Sequence, residues 1–160
     1  MLALSELNLT YEFIKASATM GPKGSVSRGK TPYGVVDTTE YLEKNPNGTI
    51  PTINDEGFIL WESNAIVQYL GMKYNPKLFY DANIEIFSSA SRWMMWENNQ
   101  LIPPMHDLAK HLYRLPENQR NEDVVRKSKK KLFLEFKKVE VQLSKTRFIS
   151  GDQWLSLIHI

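Results

Sequence analysis
The 160-residue chain contains no cysteine. That absence excludes disulfides, a protein thiolate as nucleophile and cysteine metal sites together, and it suits a cytoplasmic setting. Histidine is scarce as well. His106, His111 and His159 stand in no ligand-like grouping, so no metal is expected. No apolar run reaches the length of a membrane span, and the first residues lack the basic-then-apolar pattern of a secretory signal. Neither sign of charge dominates, because 20 Lys and Arg face 18 Asp and Glu. A net charge of +2 names no nucleic-acid or membrane partner. What remains is an ordinary globular composition, with 42% hydrophobic and 24% charged residues.

Two kinds of pattern divide the chain. Residues 1–8 resemble the tail of an amphipathic helix, and "LTYEFI" at 9–14 alternates like a strand. Residues 15–37 are rich in Gly, Ser and Lys without a period, which predicts a long loop. Thr38 or Thr39 opens a short helix that the turn Asn45-Pro46-Asn47-Gly48 ends. "TIPTI", an acidic turn "NDEG" and "FILW" then predict a hairpin. A helix follows over 63–74, with Ile66, Leu70 and Tyr74 on one stripe. Residues 75–82 read as a linker, and 83–160 read as helix throughout. There Ile86, Ala90, Trp93 and Trp96 form one stripe, and the Pro103-Pro104 pair kinks or breaks its helix. In the last helix Val125, Leu132, Phe136, Val139 and Leu143 line up.

The stretch "TIPTINDEGFILWESNAIVQYL" carries the candidate chemistry. An X-Pro bond such as Ile50-Pro51 can be cis and leave the preceding residue's backbone open to an extended peptide. Ser63 and the free amides of a helix start form an anion site, and Glu62 beside them suits an ammonium. The set fits a peptide-like ligand with one amine and one carboxylate. Each residue also has a structural explanation: Ser63 as a helix cap, Glu62 as a solvated acid, Pro51 as protection for an edge strand.

"NPNGTIPTINDEGFILWESNAIVQYL" resembles the glutathione-binding signature of cytosolic glutathione transferases. The likeness continues from Leu2 to Trp154 through "VDTTEYLEKNPNG", "RWMMWENNQLIPP" and "RFISGDQ". It implies an α+β, thioredoxin-like N-terminal domain over 1–74, lacking its first strand, and an all-α domain over 83–160. It also implies that Ile50 pairs its backbone with the cysteinyl part of glutathione beside cis-Pro51, while Glu62 and Ser63 hold the γ-glutamyl end. Some relatives direct a His at the glycyl carboxylate where Gly48 stands, and others carry Arg at the place of Asn64. The expected activity is conjugation of glutathione to an electrophile, or its use in reduction or peroxide removal. Detoxification and a cytoplasmic homodimer go with it. A non-catalytic, protein-binding member of the same family is the alternative.

The family's thiol-activating Tyr, Ser or Cys follows the first strand, which this chain is expected to lack. Ser5 is the nearest hydroxyl, but it lies late in its helix. After "GD", the family's Ser/Thr-x-x-Asp capping box reads Ser156-Leu157-Ile158-His159, without the acid. "LSLIHI" also matches a sequencing-adapter read-through, so the chain is expected to be a fragment at both ends. Trp96, Asn99 and Met105 are candidates for a second-substrate pocket, with Trp93 more suited to the core. Residues 120–147 hold ten basic residues against four acids, a pattern read as a solvated helix face.

Overall fold
The computed structural model describes residues 2–14, 36, 38–79 and 83–152, in two compact units that divide after Asn75. The loop expected over 15–37 (Val36 apart) and the suspected adapter residues 155–160 lie outside the described residues.

In the first unit, α1 (Leu2–Glu6) ends at Asn8, whose φ of 52° lets Leu9 donate back to the Leu4 carbonyl. The expected strand at 9–14 is not one. Its residues have no ladder partner among the described residues, and a strand exists only as half of a pair. Phe13 and Ile14 are accordingly exposed.

Helix α2 (Thr39–Lys44) starts where a Thr cap is expected. The Thr38 hydroxyl accepts from the Tyr41 amide at 3.2 Å. Strands β1 (Thr52–Asp55) and β2 (Phe58–Trp61) form an antiparallel hairpin with Thr52 opposite Trp61. Its loop is tighter than the four residues expected. Only Glu56 and Gly57 turn, both at positive φ, and the Asn54 side chain accepts from the Gly57 amide at 2.8 Å.

Helix α3 (Ser63–Tyr74) buries Ile66, Val67 and Leu70, and full burial of such a side chain contributes about 1.5–3 kcal/mol. Tyr74, expected on the buried stripe, is exposed. Its hydroxyl donates to Asp55 at 2.7 Å, alongside Tyr69 and the Lys73 ammonium, each at 2.9 Å. These three donors clamp the hairpin turn to α3. They hold the Asp55 carboxyl below its ordinary range, with Lys73 the largest cause, and Asp55 in turn raises both Lys73 and Tyr74.

In the second unit, the expected linker contains a helical turn, α4 (Pro76–Phe79). Helix α5 (Ile84–Trp96) is capped by Asn83 and buries Ala90 and Met94, while Trp93 and Trp96 are half-buried. The proline pair does not break the helix. A π turn, Glu97–Leu101, precedes α6 (Ile102–Ala109), and Ile102 donates to the carbonyl of Glu97, five residues back. Proline has no N–H for the α pattern, and the widened turn absorbs that loss. A second π turn, Lys110–Arg114, closes the rod.

Helix α7 (Glu122–Leu143) packs on α6 through only part of the expected line. It buries Ser128, Leu132 and Glu135, while Phe136 and Leu143 stay exposed. The buried face is turned by about 45° from the apolar stripe, at 3.6 residues per turn. The cause is Glu135, 1% exposed, whose carboxylate meets Lys131 and Lys138 at 2.7 Å each and accepts from the Trp96 indole at 3.2 Å. Lys131 and then Lys138 hold its carboxyl below the ordinary range. A buried charge with this many partners is tolerated. Ile149 is also buried, and Ser89 donates to the Ser150 carbonyl at 3.2 Å, which ties "RFISGD" to α5.

Two outcomes follow from these contacts. A depressed carboxyl contributes stability above its unfolded value and loses it as pH falls through the folded one. Asp55→Asn is therefore expected to lower the melting temperature at pH 7, and the gap to wild type closes below the unfolded value of 3.8. The raised Lys73 and Tyr74 protect fully only below 10.5 and 10.0, so the same gap also narrows above pH 10. Thermal melts across pH 2–11 check both arms. Separately, Glu135→Ala orphans the Trp96 indole and is expected to lose about 2–3 kcal/mol in urea unfolding.

Candidate functional site
The hairpin register assembles the site. With Thr52 opposite Trp61, Ile50-Pro51 runs into β1 at the same end of the hairpin at which Glu62-Ser63 leaves β2. Four of the sequence candidates, eleven to thirteen positions apart in the chain, thus flank the open end of one hairpin.

The Ile50-Pro51 bond is cis, and Ile50 is 49% exposed. No hydrogen bond occupies its backbone N–H or C=O among the described residues.

Between Trp61 and the start of α3 only Glu62 makes the corner. It does so at φ 73°, ψ 115°, a conformation that costs a residue with a Cβ about 1–3 kcal/mol. Ser63 does not cap the helix. Glu62 holds the cap position without a side-chain bond, and Ser63 is the first helical residue. The Glu62 carboxylate and the Ser63 hydroxyl have no partner among the described residues. The first intrahelical bond is Ile66 N–H to the Glu62 carbonyl at 2.9 Å, so the amides ahead of it have no acceptor within the helix. A strained corner thus brings one carboxylate and one hydroxyl to the helix start, where the amides are positively polarised. The capping role open to Ser63 in the sequence is not the one it takes.

Sequence reasoning missed the residues that support this edge. Asn45, read only as a helix stop, is fully buried. Its side-chain amide donates to the Thr49 carbonyl at 2.9 Å and the Thr52 hydroxyl at 3.1 Å, and its side-chain oxygen accepts from the Asn47 amide at 3.1 Å. The Tyr41 hydroxyl donates to the Thr49 carbonyl at 2.6 Å and lies 2.8 Å from the Thr52 hydroxyl. The one signal in the sequence was an amide side chain leading an N-P-N-G turn, where a carbonyl and an NH₂ can both serve the backbone. Gly48 has φ 58°, and a Cβ there would stand 3.0 Å from the Val36 carbonyl oxygen, so no side chain projects from this position.

The remaining candidates lie in the second unit. Trp96 serves the packing of α5 and α7 through Glu135, with its ring edge-on to Trp93 at 5.3 Å. Asn99 is exposed and donates to the Met95 carbonyl, and Met105 is 44% exposed. An open hollow of about 610 Å³ beside His111, Arg120 and Lys129 contains none of the expected site residues. Among the described residues no group of acids and histidines is arranged to hold a metal, and no helix is long and apolar enough to cross a membrane.

Known proteins resemble this chain in sequence and fold. Residues 1–78 match the family model described as glutathione S-transferase, N-terminal domain. The chain is 31% identical over 156 residues to glutathione S-transferase GstB of Escherichia coli K12, covering 96% of itself and 69% of that protein. A theta class glutathione S-transferase from Xanthomonas axonopodis pv. citri, solved with glutathione bound, is 28% identical with a TM-score of 0.79. That match covers 96% of this chain and 67% of the other. Poplar glutathione transferase F1 is 27% identical with a TM-score of 0.74, covering 96% and 66%.

The corner at Glu62 sets a stability test. Glu62→Gly removes the Cβ that opposes positive φ, offset in part by glycine's entropy, so unfolding stability is expected to hold or rise by up to about 1 kcal/mol. Urea unfolding of the two proteins measures it.

Proposed function
We infer that this chain, which belongs to the glutathione S-transferase family, binds glutathione at the open end of the β1–β2 hairpin. Its thioredoxin-like first domain, followed by a helical one, is the fold of its structural neighbours. The observation that carries the inference is the placement of Ile50-Pro51 and Glu62-Ser63 at the open end of the same hairpin, with the Ile50 backbone, the Glu62 carboxylate and the Ser63 hydroxyl unengaged among the described residues. The free Ile50 N–H and C=O match the backbone of a cysteinyl residue laid alongside as a short added strand. Glu62 matches the ammonium of the γ-glutamyl end. The Ser63 hydroxyl and the first amides of α3 match its carboxylate.

Transfer of the glutathione sulfur to a small electrophile, or its use in reducing a peroxide, is the proposed activity. Cytoplasmic detoxification by a homodimer is its proposed setting. The binding edge would contribute by fixing the thiol relative to the second substrate, a proximity effect rather than strong acid–base chemistry. Asn99 and Met105, both exposed, are proposed for contact with that substrate, whereas Trp96 is already engaged by Glu135. Ser5 is not proposed as the thiol activator, because it is exposed in the last turn of α1. The alternative of a non-catalytic protein-binding member has no observation of its own in its favour.

Isothermal titration with glutathione tests the binding. Wild type is expected to bind, and Glu62→Gln and Ser63→Ala are each expected to weaken binding about tenfold, the worth of one lost hydrogen bond to a charged group. Glu62→Gly should lose the affinity while keeping the stability. Wild-type protein that takes up no glutathione, or variants that bind it as wild type does, would refute the assignment.

A further inference from the structure
We propose that Asn45 and Tyr41 are positioning residues for the bound ligand: they hold Thr49 and Thr52 so that the two residues between them present the Ile50 backbone outward. The proposal rests on the glutathione-binding reading and extends it from the contact residues to the groups behind them.

The asymmetry of hydrogen bonding is the basis. All the hydrogen-bonding atoms of Asn45 are used. Its N–H donates to the Tyr41 carbonyl at 2.8 Å, its carbonyl accepts from Gly48 at 3.0 Å, and its side chain makes the three bonds given above. Tyr41 reaches the same two threonines from α2. The segment is thus pinned at residue 49 and again at residue 52. Ile50 and Pro51, in between, make no hydrogen bond among the described residues.

Anchors on both sides of an unpaired peptide group fix its direction before a ligand arrives. Affinity then gains because the ordering is already done. A packing role alone would not need two side chains from separate positions converging on the same carbonyl and hydroxyl. Asn45 is also buried so completely that its amide must be satisfied by these atoms or left orphaned.

Tyr41→Phe is the discriminating variant. It keeps the ring and removes only the hydroxyl that reaches Thr49 and Thr52. Thr38→Ala is the control: it removes the α2 cap, destabilising the same helix without releasing either threonine. Glutathione titrations of the full chain, with the Ile50 amide followed by ¹H–¹⁵N NMR, supply two readouts. Expected are a Kd raised about tenfold in Tyr41→Phe and more in Asn45→Ala, a free-state Ile50 amide signal displaced or broadened in both, and a Kd near wild type in Thr38→Ala. If Asn45→Ala does not fold, Thr52→Val takes its place, with the same expectation as Tyr41→Phe. Equal weakening in Tyr41→Phe and Thr38→Ala would reduce the effect to helix stability and overturn the proposal. So would a Tyr41→Phe protein that binds as wild type does. A wild type that ignores glutathione overturns the underlying reading and this one with it; a wild type that binds isolates the failure to Asn45 and Tyr41.

Discussion

The two-residue turn at Glu56-Gly57 sets everything else in the first unit. Because both residues take positive φ, the strands meet with Thr52 opposite Trp61, and no other register fits that loop. A slip of one residue would reverse which face each strand side chain occupies. The Asp55 cluster then locks the turn end of the hairpin to the second half of α3, while the chain continuity through Glu62 locks the other end to its first turn. A hairpin held at both ends against one helix leaves little freedom at the mouth where the site lies.

Strain and satisfaction are divided unevenly around that mouth. Behind it, Asn45 and Tyr41 use every polar atom they offer. At its surface Glu62 sits at φ 73°, and its carboxylate, the Ser63 hydroxyl and the Ile50 peptide groups have no partner among the described residues. Folding alone would favour a glycine at that corner and a capping bond from the serine. Their absence fits the proposed binding surface, whose groups must be spared from the protein's own hydrogen bonds to meet a ligand.

The second unit follows a different logic, in which one buried carboxylate decides how two helices face each other. The apolar residues of α7 alone would turn Phe136 and Leu143 inward. Glu135, matched by Lys131, Lys138 and the Trp96 indole, turns the helix instead toward Ser128, Leu132 and itself. Two lysines from the solvated basic run at 120–147, Lys131 and Lys138, pair with this charge while staying exposed themselves. Likewise the proline pair, a breaker by local rules, survives inside a helical rod because a π turn offers Ile102 a different acceptor.

Much was legible in the residues themselves. The Thr38 start of α2, the hairpin, the span of α3 and the helical second half each follow from local rules about caps, turns and period, which act within a few neighbours along the chain. The motif residues Ile50, Pro51, Glu62 and Ser63 stand out as a set in the sequence because they directly flank the two strands of one hairpin. What only the tertiary structure decided depends on partners distant in sequence. The stretch at 9–14 has strand-like residues, but whether a strand forms depends on a neighbouring ladder. The burial of Glu135 depends on an indole 39 positions away. The role of Asn45 depends on where Thr49 and Thr52 return, and that of Tyr74 on where the hairpin brings Asp55. Periodicity predicts which side chains share a face; it cannot say which polar groups will find each other across the fold, and here those pairings set both the turn of α7 and the shape of the candidate site.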